Sequence, residues 1–268
     1  MSHLSCLIAT TQQQLDDAVR VRWSVFGAEL SLLASPPAAP REVSCFDTLA
    51  TTVHFVVYAG LQPVATMRLL LPNAEVARAT GRPLGLELEQ KLELSALCVP
   101  GVAVAETTRC CVLRAWRGSE ALVLLNAAMY RESRRRGVTH WVACANMETD
   151  SAEDAGWVYQ VAARRGLLCE RFRVQPRAAT PGPAAASAPL YTPEHRALAR
   201  AGQLDTLRLP PALGLFSRKL AARFPGEPLY DAHFRRYALP LVSALEELPA
   251  STLRLFEAAA APRLAIAA

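Results

Sequence analysis

Apolar residues recur at helical spacing between Thr11 and Leu33, with Leu15, Val19, Trp23 and Phe26 on one stripe. The pattern predicts an opening helix over that stretch, with Arg20 and Arg22 on its other faces. A Pro-rich loop, ASPPAAPREVS, leads on to Cys45, Phe46 and Asp47. The period then changes. Thr52 to Ala59 (TVHFVVYA) and Val64 to Leu71 (VATMRLLL) are rich in β-branched and apolar residues, and Gly60-Leu61-Gln62-Pro63 separates them. This predicts an antiparallel hairpin ended by Pro72. Residues 73–101 are less regular and predict a short helix around Leu86 to Leu94. Val102 to Ala115 predicts a long strand with polar residues in its middle, broken at Trp116-Arg117-Gly118-Ser119. Ser119 is placed to cap the next helix, EALVLLNAAMYRESRRR, which stops at Gly137. VTHWVACAN predicts the strand after it.

A strand that passes through a Gly turn into a helix and then a second strand is a βαβ-type crossover. With the hairpin ahead of it, the sheet is expected to be mixed and the fold α/β. Gln175 to Pro189 (QPRAATPGPAAASAP) predicts a linker or exposed loop. Beyond it, Pro193 to Ala201 predicts a polar helix, and Leu213, Phe216, Leu220 and Phe224 fit another. Tyr237 to Val242 suits a strand, and no internal repeat is present.

Composition narrows the class. The 268 residues are 51% hydrophobic and 20% charged, which excludes disorder for most of the chain. No apolar run reaches the roughly 18 residues of an ordinary membrane span. The start, MSHLSCLIATTQQQLDD, lacks a basic leader and an apolar core before a cleavage site, so a cytoplasmic location is expected. Lys91 and Lys219 are the only lysines, which leaves 27 arginines within a net charge of +5. Coding bias accounts for such a balance; so does a surface for an acidic partner, since Arg forks bind phosphate and carboxylate. The seven cysteines show neither C-x-x-C pairing nor zinc spacing, so neither a metal nor a disulfide is expected.

Polar residues inside apolar strands are the first candidates for chemistry. Arg68 interrupts VATMRLLL, and Glu106 and Arg109 lie three apart in AETTRCCV. At that spacing strand side chains point to opposite faces, unless a bulge re-aims them. A buried carboxylate beside arginines can act as a base or orient an amine; equally, Glu106 and Arg68 could form an internal salt bridge. Asp47 is placed at the mouth of the sheet, a position that also suits a turn or cap. His54, His140, His195 and His233 form neither a metal nor a triad pattern, and no nucleophile elbow, Walker sequence or dinucleotide fingerprint is present. The Trp116–Ser119 break precedes a helix whose first N–H groups could hold a phosphate.

Taken together, VRWSVF (Val21 to Phe26), CFD (Cys45 to Asp47), TMRLLLP (Thr66 to Pro72), AETTRCCV (Ala105 to Val112) and RRRGVTHWVA (Arg134 to Ala143) resemble the acyl-carrier-dependent branch of the GNAT superfamily. That branch holds autoinducer synthases, N-acyl amino acid synthases and ornithine acyltransferases, and Leu209 to Phe234 looks like the tail of the last group. The resemblance implies a mixed, mostly antiparallel central sheet flanked by helices. It implies a core over residues 1–175, a linker and variable helix over 176–208, and a C-terminal extension over 209–268. It also implies transfer of a fatty acyl group from an acyl carrier protein thioester to the α-amine of an amino acid.

In this scheme Glu106 is the first choice of base and Asp47 the second, with Arg22, Phe26, Arg68 and Arg109 around the amine substrate. An amino acid carboxylate would take its cation from Arg68 or Arg109. Backbone N–H groups near Cys111 and Val112, with Arg117, Gly118 and Ser119, would receive the thioester and phosphopantetheine. The expected donor is acyl carrier protein, with acyl-CoA as second choice and no bound cofactor. Arg134 to Arg136 would dock the carrier. No nucleic acid partner is implied, and membrane contact is limited to the surface, through the lipid product. Ser44 stands where autoinducer synthases carry an acid, and no Trp follows Phe26 at their spacing, which disfavours homoserine lactone chemistry. That chemistry and a non-catalytic GNAT domain are the alternatives.

Overall fold

The structure, a computed structural model, describes residues 3–33, 39–178 and 181–260. Residues 34–38 of the Pro-rich loop therefore lie outside the described residues. β1 (Leu4–Ile8) opens the chain. α1 (Gln12–Trp23) follows from a capping box in which Thr11 and Gln14 satisfy each other's neighbouring N–H groups. The helix widens into a π-helical turn over Ser24–Glu29 and ends at Leu30, short of the expected Leu33. The hairpin comes next as β2 (Thr52–Ala59) and β3 (Gln62–Leu70).

α2 (Ala74–Thr80) is capped by Asn73. The helix expected around Leu86 to Leu94 is a 3-10 turn, Glu87–Gln90, followed by the short β4 (Leu92–Glu93). β5 (Val104–Val112) and α3 (Ala121–Arg135) then complete the crossover with β6 (His140–Asn146). Beyond it lie α4 (Ala152–Arg164), β7 (Gln175–Pro176), α5 (Pro193–Arg200) and α6 (Pro211–Lys219). β8 (Leu229–Asp231), β9 (Arg236–Ala244) and α7 (Ala250–Ala260) end the described chain. Leu220 and Phe224 fall outside α6; Phe224 instead bridges to Leu168.

The main sheet runs β1-β2-β3-β5-β6-β9-β8, and its neighbours are antiparallel except for β5 and β6. The segment expected as a C-terminal extension thus supplies two strands of the sheet itself. One face buries Val53, Phe55, Met67, Leu69, Ala105 and Trp141 against Leu125 and Met129 of α3. Trp141 Nε1 donates to Ser133 Oγ at 2.9 Å, so the indole is buried without an orphan donor. A second core holds α4, α5 and α6 against β9 through Val158, Leu213, Phe224 and Leu239.

The parallel pair is short. β5 and β6 pair at Val104–His140, Ala105–Trp141 and Glu106–Val142, and past Glu106 they separate. Each keeps its outer neighbour, β3 up to Val112 and β9 up to Asn146, so the sheet splits into two halves with Glu106 at the apex. Cys110 is exposed although it lies on a central strand, as expected for a residue on the wall of such an opening.

One turn fixes the loop that later reaches the apex. Gly85 has φ +70°, and a Cβ there would lie 2.2 Å from the Asn73 carbonyl oxygen and 2.7 Å from the Ala77 nitrogen. Left-handed backbone costs a residue with a Cβ about 1–2 kcal/mol, and overlap with backbone adds to it. Gly85→Ala is therefore expected to lower stability by at least that amount in chemical denaturation; an unchanged midpoint would contradict this reading of the turn.

Candidate active site

Strand alternation puts His54, Arg68 and Glu106 on the face opposite α3: His54 pairs with Arg68 across β2–β3, and Leu70 pairs with Glu106 across β3–β5. Arg109 joins them through a bulge. The β3–β5 register shifts between Thr66 and Arg68, so Arg109 and Cys110 together oppose Met67, and Arg109 takes φ 57°. The opposite-face spacing expected from sequence is thereby cancelled.

α1 and the loop after it supply the remaining charges. Arg22 is wholly buried and grips Asp47 with both ends of its fork, at 2.8 and 2.7 Å. Its Nε also donates to Glu42 at 2.5 Å. Arg68 donates to Asp47 at 2.7 Å, to Ser44 Oγ at 2.8 Å, and to Glu87. Arg109 donates to Glu42 at 3.1 Å and to Glu87 at 2.9 Å. Three guanidinium groups thus face three carboxylates in a closed network. The Arg68–Glu106 salt bridge considered from sequence is not formed among the described residues.

Asp47 is the clearest departure from expectation. Burial would raise its pKa, but Arg22, Arg68 and the Ser44 N–H hold its carboxyl well below the usual carboxylate range. A carboxylate so engaged is a poor proton acceptor, and it bridges Arg22 and Arg68. Glu42 is likewise brought down to about 2, since His233, Arg22 and Arg109 outweigh its burial. Glu106 behaves oppositely. Burial, reinforced by the Glu87 carboxylate, pushes it up to about 7 against Arg68, Arg109 and the Leu88 N–H. That N–H donates to Glu106 Oε2 at 2.8 Å. Burial also brings His54 down to about 4, so it stays neutral beside Arg22 and Arg68.

The β8–β9 turn covers the network from the other side. Phe234 lies 4.9 Å from the Phe26 ring, with the Arg109 guanidinium 5.4 Å over its face. His233 Nε2 is 3.5 Å from Glu42, and Arg235 donates to the Leu32 and Ser31 carbonyls. Glu42, Glu87, His233 and Phe234 escaped the sequence reading. Glu42 and Glu87 sit in irregular loops without periodicity, and His233 and Phe234 are distant in sequence from everything they touch.

The residues expected to hold the acyl donor are dispersed. Cys111 points away from the opening and is buried against Val21 and Val25 of α1. The antiparallel alternation, with Leu113 N–H bonded to the Val64 carbonyl, turns the Val112 N–H and C=O away from β3. The Val112 carbonyl accepts from Arg117 Nε at 3.2 Å, and the rest of that guanidinium clasps Glu29 at 2.6 and 2.9 Å. Gly118 has φ 84°, and Ser119 Oγ accepts from the Ala121 N–H at 3.2 Å within the turn ahead of α3, but the N-cap position is Glu120 and carries no side-chain cap, so the cap expected at Ser119 is displaced by one residue. The three arginines at the end of α3 are all exposed, and Arg135 and Arg136 pair with Glu132. No group of residues suited to a metal occurs among the described residues, and no described helix is long and apolar enough to cross a membrane.

Comparison with known proteins agrees with this architecture. Solved structures of similar fold include the CoA-dependent acyl-homoserine lactone synthase BjaI with SAM and isopentyl-CoA (14% identity, TM-score 0.51, 97% of this chain and 90% of that one). MesI, another CoA-dependent acyl-homoserine lactone synthase, matches at 12% identity and TM-score 0.50, over 96% of this chain and 95% of that one. FeeM, an N-acyl amino acid synthase from uncultured soil microbes, matches at 10% identity and TM-score 0.49, over 91% and 92% of the two chains. Curated protein sequences give no match. The family model of the N-acyl amino acid synthase FeeM matches residues 17–150, half of the chain, and that span holds the second half of α1 with Arg22, the Asp47 loop, the hairpin, the bulged β5 and β6. The chain therefore belongs to the FeeM family of N-acyl amino acid synthases, N-acyltransferases on a GNAT-like mixed α/β fold.

Proposed function

We propose that the protein moves a fatty acyl group from an acyl carrier protein thioester to the α-amine of an amino acid, with Glu106 as the base. The observation that carries this reading is the setting of Glu106: a buried carboxylate at the apex of the β5–β6 opening, pushed up to about 7 and held by one backbone N–H. An amine that arrives as ammonium must lose a proton before it can attack a carbonyl, and a carboxylate with that pKa accepts it near neutral pH. The thioester enters along the split between the strands, where the Val112 N–H, turned from β3, is available to polarise its carbonyl. Attack of the neutral amine nitrogen on the thioester carbon forms the C–N bond, and collapse of the adduct breaks the C–S bond; the second N–H proton passes to the departing pantetheine thiolate, while the proton first taken by Glu106 returns to solvent. No covalent enzyme intermediate is needed, and the cysteines remain bystanders.

The surrounding charges set the geometry. Arg22, Asp47 and Glu42 fix α1 to its loop, Arg68 and Arg109 line the acceptor side, and Phe26 with Phe234 covers it. Carrier protein is favoured over CoA as donor because the turn after β5 offers little beyond Arg114, Arg117 and the Ser119 hydroxyl for a phosphate. One phosphopantetheine phosphate needs fewer donors than CoA. The charged machinery lies within residues 1–175, with β8 and β9 completing the sheet and the turn between them supplying His233 and Phe234, and the enzyme works in the cytoplasm.

A pH profile tests the base. Only ionised Glu106 accepts a proton, so kcat/KM is expected to fall about tenfold per pH unit below about 7. A profile flat from pH 5.5 to 8 would rule Glu106 out of that role.

A further inference from the structure

The guanidinium of Arg68 is only partly used. Its Nη1 donates to Asp47 and Ser44 and its Nη2 to Glu87, while its buried Nε finds no partner. Nε and Nη2 form one edge of the fork, the edge that takes both oxygens of a carboxylate in parallel. Glu87 meets that edge with Oε2 alone, because its Oε1 is held by Arg109 Nη2 at 2.9 Å. A buried donor left without a partner is destabilising, so a half-filled fork in the middle of an ion network marks a place where a better-fitting anion would be favoured. Glu87 is also the most accessible acid of the network, its side chain 13% exposed against 2% for Glu42 and 1% for Asp47. It rides on the 3-10 turn next to Leu88, whose N–H holds Glu106.

We propose that Glu87 is a stand-in for the substrate's α-carboxylate: the acceptor amino acid displaces it and takes the full Nε/Nη2 edge of Arg68. This rests on the reading that the acceptor is an amino acid. The seat lies across the β3–β5 register from Glu106, since Leu70, two residues beyond Arg68 on the same face, pairs with Glu106. An α-amine is one carbon from its carboxylate, so seating the carboxylate on Arg68 brings the amine toward the base. The displacement has a specificity consequence. Amines and amides lacking the carboxylate leave Glu87 in place and gain nothing from the fork.

Glu87→Ala tests this with a readout independent of turnover. Arg68 and Arg109 keep Asp47 and Glu42 in that variant, so it is expected to fold with a lowered Tm. Acetate, titrated against chloride at constant ionic strength, should raise its Tm saturably and leave the wild type unmoved. An equal response in both proteins, or none in the variant, would overturn the proposal; a water molecule on Nε predicts that second result. Kinetics form the second arm, with myristoyl carrier protein as donor and the twenty amino acids and their carboxamides as acceptors. Glu87→Gln should lower the acid-to-amide ratio of KM about tenfold. If amino acids are acylated but the acid-to-amide ratio of KM does not move, the seat is wrong and the function stands. If acetate stabilises Glu87→Ala yet no amino acid is acylated, the seat stands and the amino acid reading falls.

Discussion

Glu106→Gln is expected to leave the fold intact and lower the rate of acyl transfer by about 10²–10⁴-fold. The substitution keeps the shape of the side chain and an oxygen for the Leu88 N–H, while removing the carboxylate proposed to take the proton. It also removes a buried carboxyl whose ionisation the surroundings resist, so stability should hold or rise. The comparison with Asp47→Asn separates the two acids chosen from sequence. Asp47 is held ionised by Arg22 and Arg68, and its loss should show mainly as weaker folding and a raised acceptor KM. Circular dichroism and steady-state kinetics on both variants check this. Full activity in folded Glu106→Gln would end its role as base.

Arg22→Ala should have the largest effect on stability of any single change in the site. Arg22 joins α1 to the loop that carries Glu42 and Asp47, and all three side chains are at most 2% exposed. Removing one member of a buried ionic group leaves its partners uncompensated, which costs about 3–5 kcal/mol. That is a large part of the roughly 5–15 kcal/mol that stabilises an ordinary domain, so little folded protein is expected at 37 °C. Arg22→Lys keeps the charge but loses the fork, and should fall between. The same network sets the acid response. Glu42 sits at about 2 when folded against an ordinary 4.5, so its contribution is present above about 4.5 and is lost as pH falls toward 2. Asp47 acts in the same direction. Thermal melts between pH 2 and 7 should show wild type losing stability on the acid side, with a shallower slope in a Glu42→Gln variant.

The elements with strong local signals were legible in the sequence. The hairpin, the long strand, the helix ending at Gly137 and the strand after it all have clear periods and turn residues. Arg22, Asp47, Arg68, Glu106 and Arg109 were visible as charged residues in or beside apolar elements. Their arrangement was not. Arg109 reaches the network only because the β5 bulge breaks the alternation, and nothing in AETTRCCV announces a residue at φ 57°. Glu42 and Glu87 complete the charge balance from loops. β1 and β8 are five and three residues long, too short for a period, and their places depend on partners β2 and β9. Apolar spacing was misleading at Leu220 and Phe224: Phe224 is buried against α4 and its following loop, and Leu220 packs on the separate core that holds α3, rather than either continuing the helix.

The most direct test of the account uses purified protein, a fatty acyl carrier thioester and a mixture of the twenty amino acids, with products followed by mass spectrometry. The account predicts one or a few N-acyl amino acids from the wild type and none above background from Glu106→Gln. No N-acylated product from folded wild type, or equal yields from both proteins, would contradict it.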